Sequence, residues 1–228
     1  MRFGKMFLAF GIFLALFGSA RAQEQTQPTL KDLFAKETEP RSYGSAEVWY
    51  SLYYFDESKI FEEFFDKEFF EPFGLSVGWY PVRNLDLLVR VGYAERKGER
   101  LGINTGEESE EDVRLMLIPA QAELIYRFDF FNEQFLVPSG GIGYDYWYFK
   151  EDNEYRDDVE GDKTGWHASA GLAILLERLD PSGKMAMQQD WGIENVFLNL
   201  EARWCWIEQG NGFDFSGMGY SAGLLFEF

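Results

Sequence analysis

From residue 44 to residue 228, apolar side chains alternate with small or polar ones at a period of two, segment after segment. That period belongs to strands with one apolar face, and few folds satisfy it over so long a stretch. Eight segments carry it, at about 44–55, 73–81, 85–95, 113–128, 135–149, 164–177, 194–207 and 217–228. The first sets Ala46, Val48, Tyr50, Leu52 and Tyr54 against Ser45, Glu47, Trp49, Ser51 and Tyr53. Each segment approaches or exceeds the roughly 9–11 residues that a strand tilted by about 45° needs to cross a bilayer.

The composition of the two faces decides which one points inward. The less apolar face is rich in glycine, at positions 74, 78, 92, 141, 143, 171, 219 and 223. Small residues suit the crowded lumen of a narrow barrel, where eight strands leave room only for side chains. The other face is aliphatic in mid-strand and aromatic at its ends. Threading the strands up and down sorts those aromatics into two belts. Tyr54, Tyr93, Tyr146, Tyr148, Trp166, Trp204, Trp206 and Tyr220 fall at one end, and Trp79, Tyr126, Phe128, Phe226 and Phe228 at the other. Two aromatic girdles flanking an apolar band are the surface of a membrane barrel. The pattern therefore predicts an all-β fold, an eight-stranded antiparallel up-and-down transmembrane β-barrel over residues 44–228.

The N-terminus reads as export information. Arg2 and Lys5 precede an apolar run from Met6 to Gly18, and Ala20-Arg21-Ala22 supplies a cleavage site. Residues 1–22 are expected to be a signal peptide and residues 23–43 a periplasmic tail, with a short helix at Leu30–Ala35. Without residues 1–22 the chain carries 18 basic against 39 acidic residues, a net charge of −21. So acidic a chain excludes nucleic acid as a partner. The lone Cys205 excludes an internal disulfide.

Links between segments alternate in length. Short ones at 82–84 and 129–134 read as periplasmic turns, and long ones at 56–72, 96–112, 150–163 and 208–216 as extracellular loops. The link 178–193 is the exception, with a short helix expected at Lys184–Gln189. Two acidic stretches, Glu107–Asp112 and Asp152–Asp162, do not match the spacing of a calcium loop and read as solvated. Ile60–Phe70 places its apolar residues at helical spacing. It is expected to cover the barrel mouth, rest on the bilayer, or contact a surface protein partner.

The closing segment Gly219–Phe228 resembles the C-terminal assembly signal of outer-membrane proteins, an alternating strand that ends in Phe. Over residues 44–228 the architecture is similar to small outer-membrane barrels of the OmpA and OmpX type. Val137-Pro-Ser-Gly-Gly-Ile-Gly-Tyr-Asp-Tyr-Trp-Tyr148 and the Asp180-Pro181 link before Gly192-Ile-Glu-Asn-Val196 resemble the outer-membrane β-barrel domain family of myxobacteria, whose function is undetermined. The resemblance implies an outer-membrane location, both termini in the periplasm, and contact with outer-membrane lipids, lipopolysaccharide and the assembly machinery.

Charged residues on the lumen face are Glu47, Arg90, Glu123, Arg127, Asp145, Glu201, Arg203 and Glu227. In a lumen this narrow, opposite charges are expected to pair and plug it. Arg90 and Glu123, at similar depth on adjacent strands, are the expected partners. His167-Ala-Ser169 superficially resembles the His-x-Ser of outer-membrane lipid A deacylases, whose site faces lipid. Here both residues are expected to point inward, and no acid is placed to complete a trio. The sequence thus favours a non-enzymatic barrel with a structural or surface-interaction role, without metal or cofactor. A narrow porin-like channel is the alternative, and a lipid-modifying enzyme ranks below it. The folded protein is expected to change mobility on a denaturing gel after boiling; identical mobility before and after would contradict a barrel.

Overall fold

The computed structural model describes residues 42–56, 69–82, 84–101, 108–131, 134–153, 159–177, 187–207 and 214–228. The expected signal peptide, nearly all of the tail, most of the 56–72 link and the Glu107 end of the first acidic stretch lie outside these residues. Among them are nine strands: β1 Gly44–Phe55, β2 Phe69–Phe70, β3 Phe73–Val82, β4 Leu85–Leu101, β5 Glu108–Arg127, β6 Leu136–Asn153, β7 Val159–Leu175, β8 Asn195–Ile207 and β9 Gly217–Glu227. Every neighbouring pair is antiparallel, and β1 returns to β9, so the sheet closes on itself.

Two of the nine strands form a single stave of the wall. Both β2 and β3 pair with β1, through Tyr53↔Phe70 on one side of Pro72 and Tyr50↔Phe73 on the other. Proline has no amide hydrogen to give to the ladder, so the stave breaks there. The Pro72 carbonyl still accepts from Ser51 N–H at 2.8 Å, keeping the stave aligned. The wall is therefore eight staves. A register shift between Trp79 and Val82 ends β3, where Pro81 again withholds a donor.

The β1–β9 seam is paired along the whole of both strands. Pairing runs from Ser45↔Glu227 to Phe55↔Gly217. Beyond it, Phe228 N–H donates to the Gly44 carbonyl at 3.1 Å, and the Phe228 carbonyl accepts from Tyr43 and Gly44 N–H at 2.9 and 3.1 Å. The expected β1 boundaries coincide with those observed. Strands β4 to β7, by contrast, run well past the expected ends. Of the expected loops, 96–101, 108–112, 150–153 and 159–163 belong to strands instead. Strand β9 rises about 28 Å at a tilt of about 40°, whereas the 20 residues of β5 rise about 50 Å. The β4–β5 and β6–β7 hairpins thus stand roughly 20 Å beyond an apolar band of about 25 Å.

Outside the wall, Val48, Leu75, Val77, Val89, Val91, Leu124, Ile142 and Leu200 are exposed and form an apolar belt. Trp79, Tyr126 and Phe228 bound it at the end where β1 begins and β9 ends; Tyr144, Tyr146, Trp166, Trp204 and Trp206 bound it towards the hairpins. Past Tyr93 the outer face turns polar: Tyr93 donates to Glu95 at 2.6 Å, and Arg114 pairs with Glu95 at 3.2 Å. Likewise Tyr148 donates to Glu160 at 2.9 Å.

Of the short helix expected at Lys184–Gln189, 187–189 are helical and the helix runs on to 191; 184–186 lie outside the described residues. Gly192, at φ +67°, stops it: its N–H returns to the Gln188 carbonyl at 3.2 Å, a left-handed cap.

Space inside is set by glycine. Trp49 lies over Gly74 and Gly92, where a β-carbon would sit 2.8 Å from Cζ2 and 2.5 Å from Cη2 of the indole. Beside it, β4–β5 pairing stops at Val91↔Ala120 and resumes at Ala94↔Leu117, with Pro119 in the gap. Gly92→Val is expected to cost about 1–3 kcal/mol by overpacking, read as a lower denaturant midpoint of unfolding from lipid vesicles.

Candidate functional site

Because each stave turns alternate residues inward, the lumen receives side chains at every level, and it is layered. At mid-height lie Glu47 of β1, Arg90 of β4, Gln121 and Glu123 of β5, Asp145 of β6, His167 of β7, and Glu201 and Arg203 of β8, all buried. Arg90 bridges two carboxylates across the lumen, Glu47 at 3.3 Å and Glu201 at 3.1 Å, while its guanidinium stacks 5.1 Å from the Trp49 ring. Ser76 and Asn199 each donate to Glu47 at 2.9 Å. Arg203 pairs with Glu201, donates to Gln121, and approaches Glu123 at 3.5 Å.

The expected Arg90–Glu123 contact is not the one formed. Arg90 is opposite Gln121 on β5, and its charge is met by residues of β1 and β8. The lumen is narrow enough that a long guanidinium reaches across it instead of along the wall. Glu123 turns instead to Ser169, which donates to it, and to His167, 3.5 Å away.

His167 also meets an acid that the sequence had not placed beside it. Its Nδ1 lies 2.7 Å from Asp145, which in turn accepts from Gln121 at 2.6 Å. Gly143 pairs directly opposite His167, and a β-carbon there would strike the imidazole; at Gly141 it would strike Glu123 and Ser169. Two glycines on β6 therefore make room for the imidazole and its acids. The Ser169 hydroxyl is committed to Glu123 rather than to His167. Nucleophilic attack needs a base on the hydroxyl, and this geometry directs the hydroxyl proton to a carboxylate inside the wall, away from lipid.

Toward the strand-end rim where Phe228 lies, a second cluster forms around Arg127. It pairs with Glu227, donates to Tyr80 Oη at 2.8 Å, and lies over the rings of Tyr80 at 5.5 Å and Phe197 at 5.2 Å. Tyr80 and Asn195 also donate to Glu227, at 3.1 and 2.9 Å. Beside it, Val137, Ala173, Leu175, Phe197 and Leu225 form an apolar cluster that closes this end of the lumen, the apolar floor, with Phe197 against the guanidinium.

The hairpin end of the lumen is closed by an aromatic cork. Phe215, from the segment leading into β9, is nearly inaccessible and packs among Tyr53, Phe55, Phe70, Leu115, Leu117 and Trp147. Its ring lies 5.8 Å from Phe55, 5.9 Å from Trp147 and 5.4 Å from Phe149, with Lys163 Nζ 5.2 Å away. Tyr53 Oη donates to the Phe215 carbonyl at 2.7 Å. The sequence hinted at this cork only in Tyr53 and Trp147, large aromatics on an otherwise small and polar face; Phe70 and Phe215 sit in segments read as links. Between cork and ion network is a cavity of about 20 Å³, lined by Trp49, Tyr53, Arg90, Gln121, Trp147 and Arg203, room for about one water. Cys205 is buried beside the cork.

The expected girdle residues Trp79, Tyr126, Tyr146, Trp166, Trp204, Trp206 and Phe228 are exposed on the outer face; Tyr93, Tyr148 and Phe226 are half-buried there. Among the described residues no group of three or more His, Cys, Asp or Glu side chains is disposed to hold a metal ion.

A closed eight-staved wall with an apolar exterior, an aromatic-bounded belt and a charged interior defines a small outer-membrane-type β-barrel. OprG, an outer-membrane protein of Pseudomonas aeruginosa, shares this fold: it is 12% identical, the match covers 82% of this chain and 97% of OprG, and the TM-score is 0.55. The N-terminal β-barrel domain of OprF from the same organism is 14% identical over 82% of this chain and 98% of that domain, with a TM-score of 0.49. Neisserial surface protein A is 18% identical over 82% of this chain and 96% of its own, with a TM-score of 0.47. No protein-family model and no curated protein matches the sequence.

Arg90→Met would leave Glu47 and Glu201 buried without their shared cation. It is expected to cost about 3–5 kcal/mol, measured by denaturant unfolding in lipid vesicles, with Arg90→Lys recovering part of the loss.

Proposed function

We propose that this chain is a non-conducting, non-enzymatic barrel of the outer membrane that acts through the surface it displays above the lipid. In this reading it is exported by its leader and inserted by the assembly machinery that reads its terminal Phe228. It then sits with the Gly44 and Phe228 end in the periplasm and the long hairpins outside. Lipid and lipopolysaccharide surround the belt, and the acidic hairpins meet the exterior.

One observation carries this reading: the lumen is filled at every level. The aromatic cork, then the Arg90 and Arg203 network, then the Arg127 cluster with the apolar floor beside it occupy the lumen between the two ends. A conducting path needs a continuous file of water past those charges, and the cavity beneath the cork has room for about one molecule. The similarity to OprG supports the barrel and not a role. The segment of 56–72 expected to meet a partner lies largely outside the described residues.

Protein folded into a planar bilayer is expected to stay silent at moderate voltage. Discrete, reproducible conductance steps from demonstrably folded protein would overturn this reading in favour of a narrow channel.

A further inference from the structure

The link between β5 and β6 reads Phe128-Asp-Phe-Phe-Asn-Glu-Gln-Phe135. It lies at the end of the barrel that holds Gly44 and Phe228, just beyond the belt. Two features set it apart from a solvated turn.

The first is what it exposes. Phe128, Phe130, Phe131 and Phe135 all face outward; Phe130 and Phe131 are 60% and 48% accessible. They continue the lipid-facing belt by ring contact, Tyr126 to Phe128 at 5.2 Å and Phe128 to Phe130 at 6.2 Å. Solvated turns are built from small polar residues, and a run of exposed aromatics marks a contact surface.

The second is how its backbone is satisfied. Gln134 accepts from Phe130 N–H at 3.1 Å and donates to the carbonyls of Phe128 at 2.8 Å and Leu136 at 2.7 Å. Asn84, in the β3–β4 turn on the adjacent stave, donates to the carbonyls of Arg127 at 2.8 Å and Asp129 at 3.0 Å. Phe128 N–H donates to the Pro138 carbonyl at 2.9 Å. Two side-chain amides thus supply hydrogen bonds that a turn in water takes from solvent. Backbone that enters a water-poor layer has to be satisfied internally in this way.

We propose that the described part of the β5–β6 link, 128–131 with 134 and 135, is a lipid-inserted foot. The rings of Phe130, Phe131 and Phe135 enter the interfacial layer of the phospholipid leaflet on that side, and Gln134 and Asn84 carry the backbone in with them. The occupant follows from continuity with the belt and from depth. Phe128 lies two residues past the girdle residue Tyr126, about 7 Å along the chain and about 5 Å in depth at a tilt of about 40°, its ring meets that of Phe130 at 6.2 Å, and the interfacial layer is about 5–7 Å deep on each side of the core. The link holds no Lys or Arg, so it has no attraction to anionic headgroups and suits a zwitterionic surface. On the adjoining β7–β8 link Trp191 is also highly exposed. The proposal rests on the barrel spanning a membrane, and the test separates the two.

Phe131→Cys, Val77→Cys and Asp162→Cys variants would each carry an environment-sensitive fluorophore, Cys205 being buried. They would be folded into phosphatidylcholine vesicles containing a nitroxide lipid, with folding checked by the mobility shift on boiling. Phe130→Cys replaces Phe131→Cys if the latter does not fold. The position 131 label is expected to be quenched more by a nitroxide near the glycerol than by one near the chain end. Its iodide quenching should be at least about threefold weaker than at 162. The mid-belt label at 77 should show the reverse depth preference. Equal iodide access at 131 and 162, with 77 quenched in the core, would overturn the foot and leave the barrel standing. Failure at 77 would overturn both. Protection at 131 that grows with the protein-to-lipid ratio would mark a face between two copies, and would also overturn it.

Discussion

Arg90 is a cation held at the centre of a lumen from which bulk water is excluded, and the arrangement around it follows from keeping that charge met. Its two carboxylates come from β1 and β8, staves on either side of the β1–β9 seam, so one guanidinium ties the closing strand to its second neighbour across the interior. Those carboxylates recruit Ser76, Asn199 and Arg203, and Arg203 recruits Gln121 and, through it, Asp145 and His167. Each added group removes an unmet charge or dipole that would otherwise be costly in a low-dielectric interior. Glycines at 141, 143 and 223 face the bulkiest of these groups, because a β-carbon at any of them would strike Glu123, His167 or Glu47. The small-residue face of the sequence is the complement of the charged network.

On the outside the constraint is reversed. Lipid offers no hydrogen bonds, so the wall has to satisfy its backbone by closing, and its side chains have to be apolar. The belt meets both demands between the girdles. Above it the same staves continue with Glu95, Arg114 and Glu160 facing outward. The wall is one continuous sheet passing through two solvents, and only its outward side chains register the change.

That continuity explains what could be read from the chain and what could not. Within the belt, alternation is an apolar-against-polar contrast, so Gly44–Phe55 and the inward placement of Glu47, Glu123, Asp145 and Glu201 were legible. Above the belt both faces of β4–β7 are polar, the contrast vanishes, and residues that pair as strand read as loop. The aromatic cork was hidden for a related reason. Phe70 lies in the two-residue β2 and Phe215 precedes β9, where no periodicity speaks for them, and what they fill is a space created by distant staves. Ion partners were misread where depth along adjacent strands stood in for distance. Arg90 finds Glu47 and Glu201 across the lumen, a closeness that stagger and curvature create and that linear spacing does not encode. The Asp145–His167 contact is similarly a diagonal between neighbouring strands, visible only once Gly143 is known to face His167.

The seam has a temporal consequence. Bonds such as that from Ser51 to the Tyr220 carbonyl join residues 169 positions apart, whereas the hairpins between consecutive strands form from local partners. Loop-closure entropy has to be overcome before such distant contacts return any stabilisation. Until β9 meets β1, each would present an open sheet edge able to pair with another chain. Closure of the seam is thus expected to be the slow step, and the interval before it is when the unpaired edges of this polypeptide most invite aggregation.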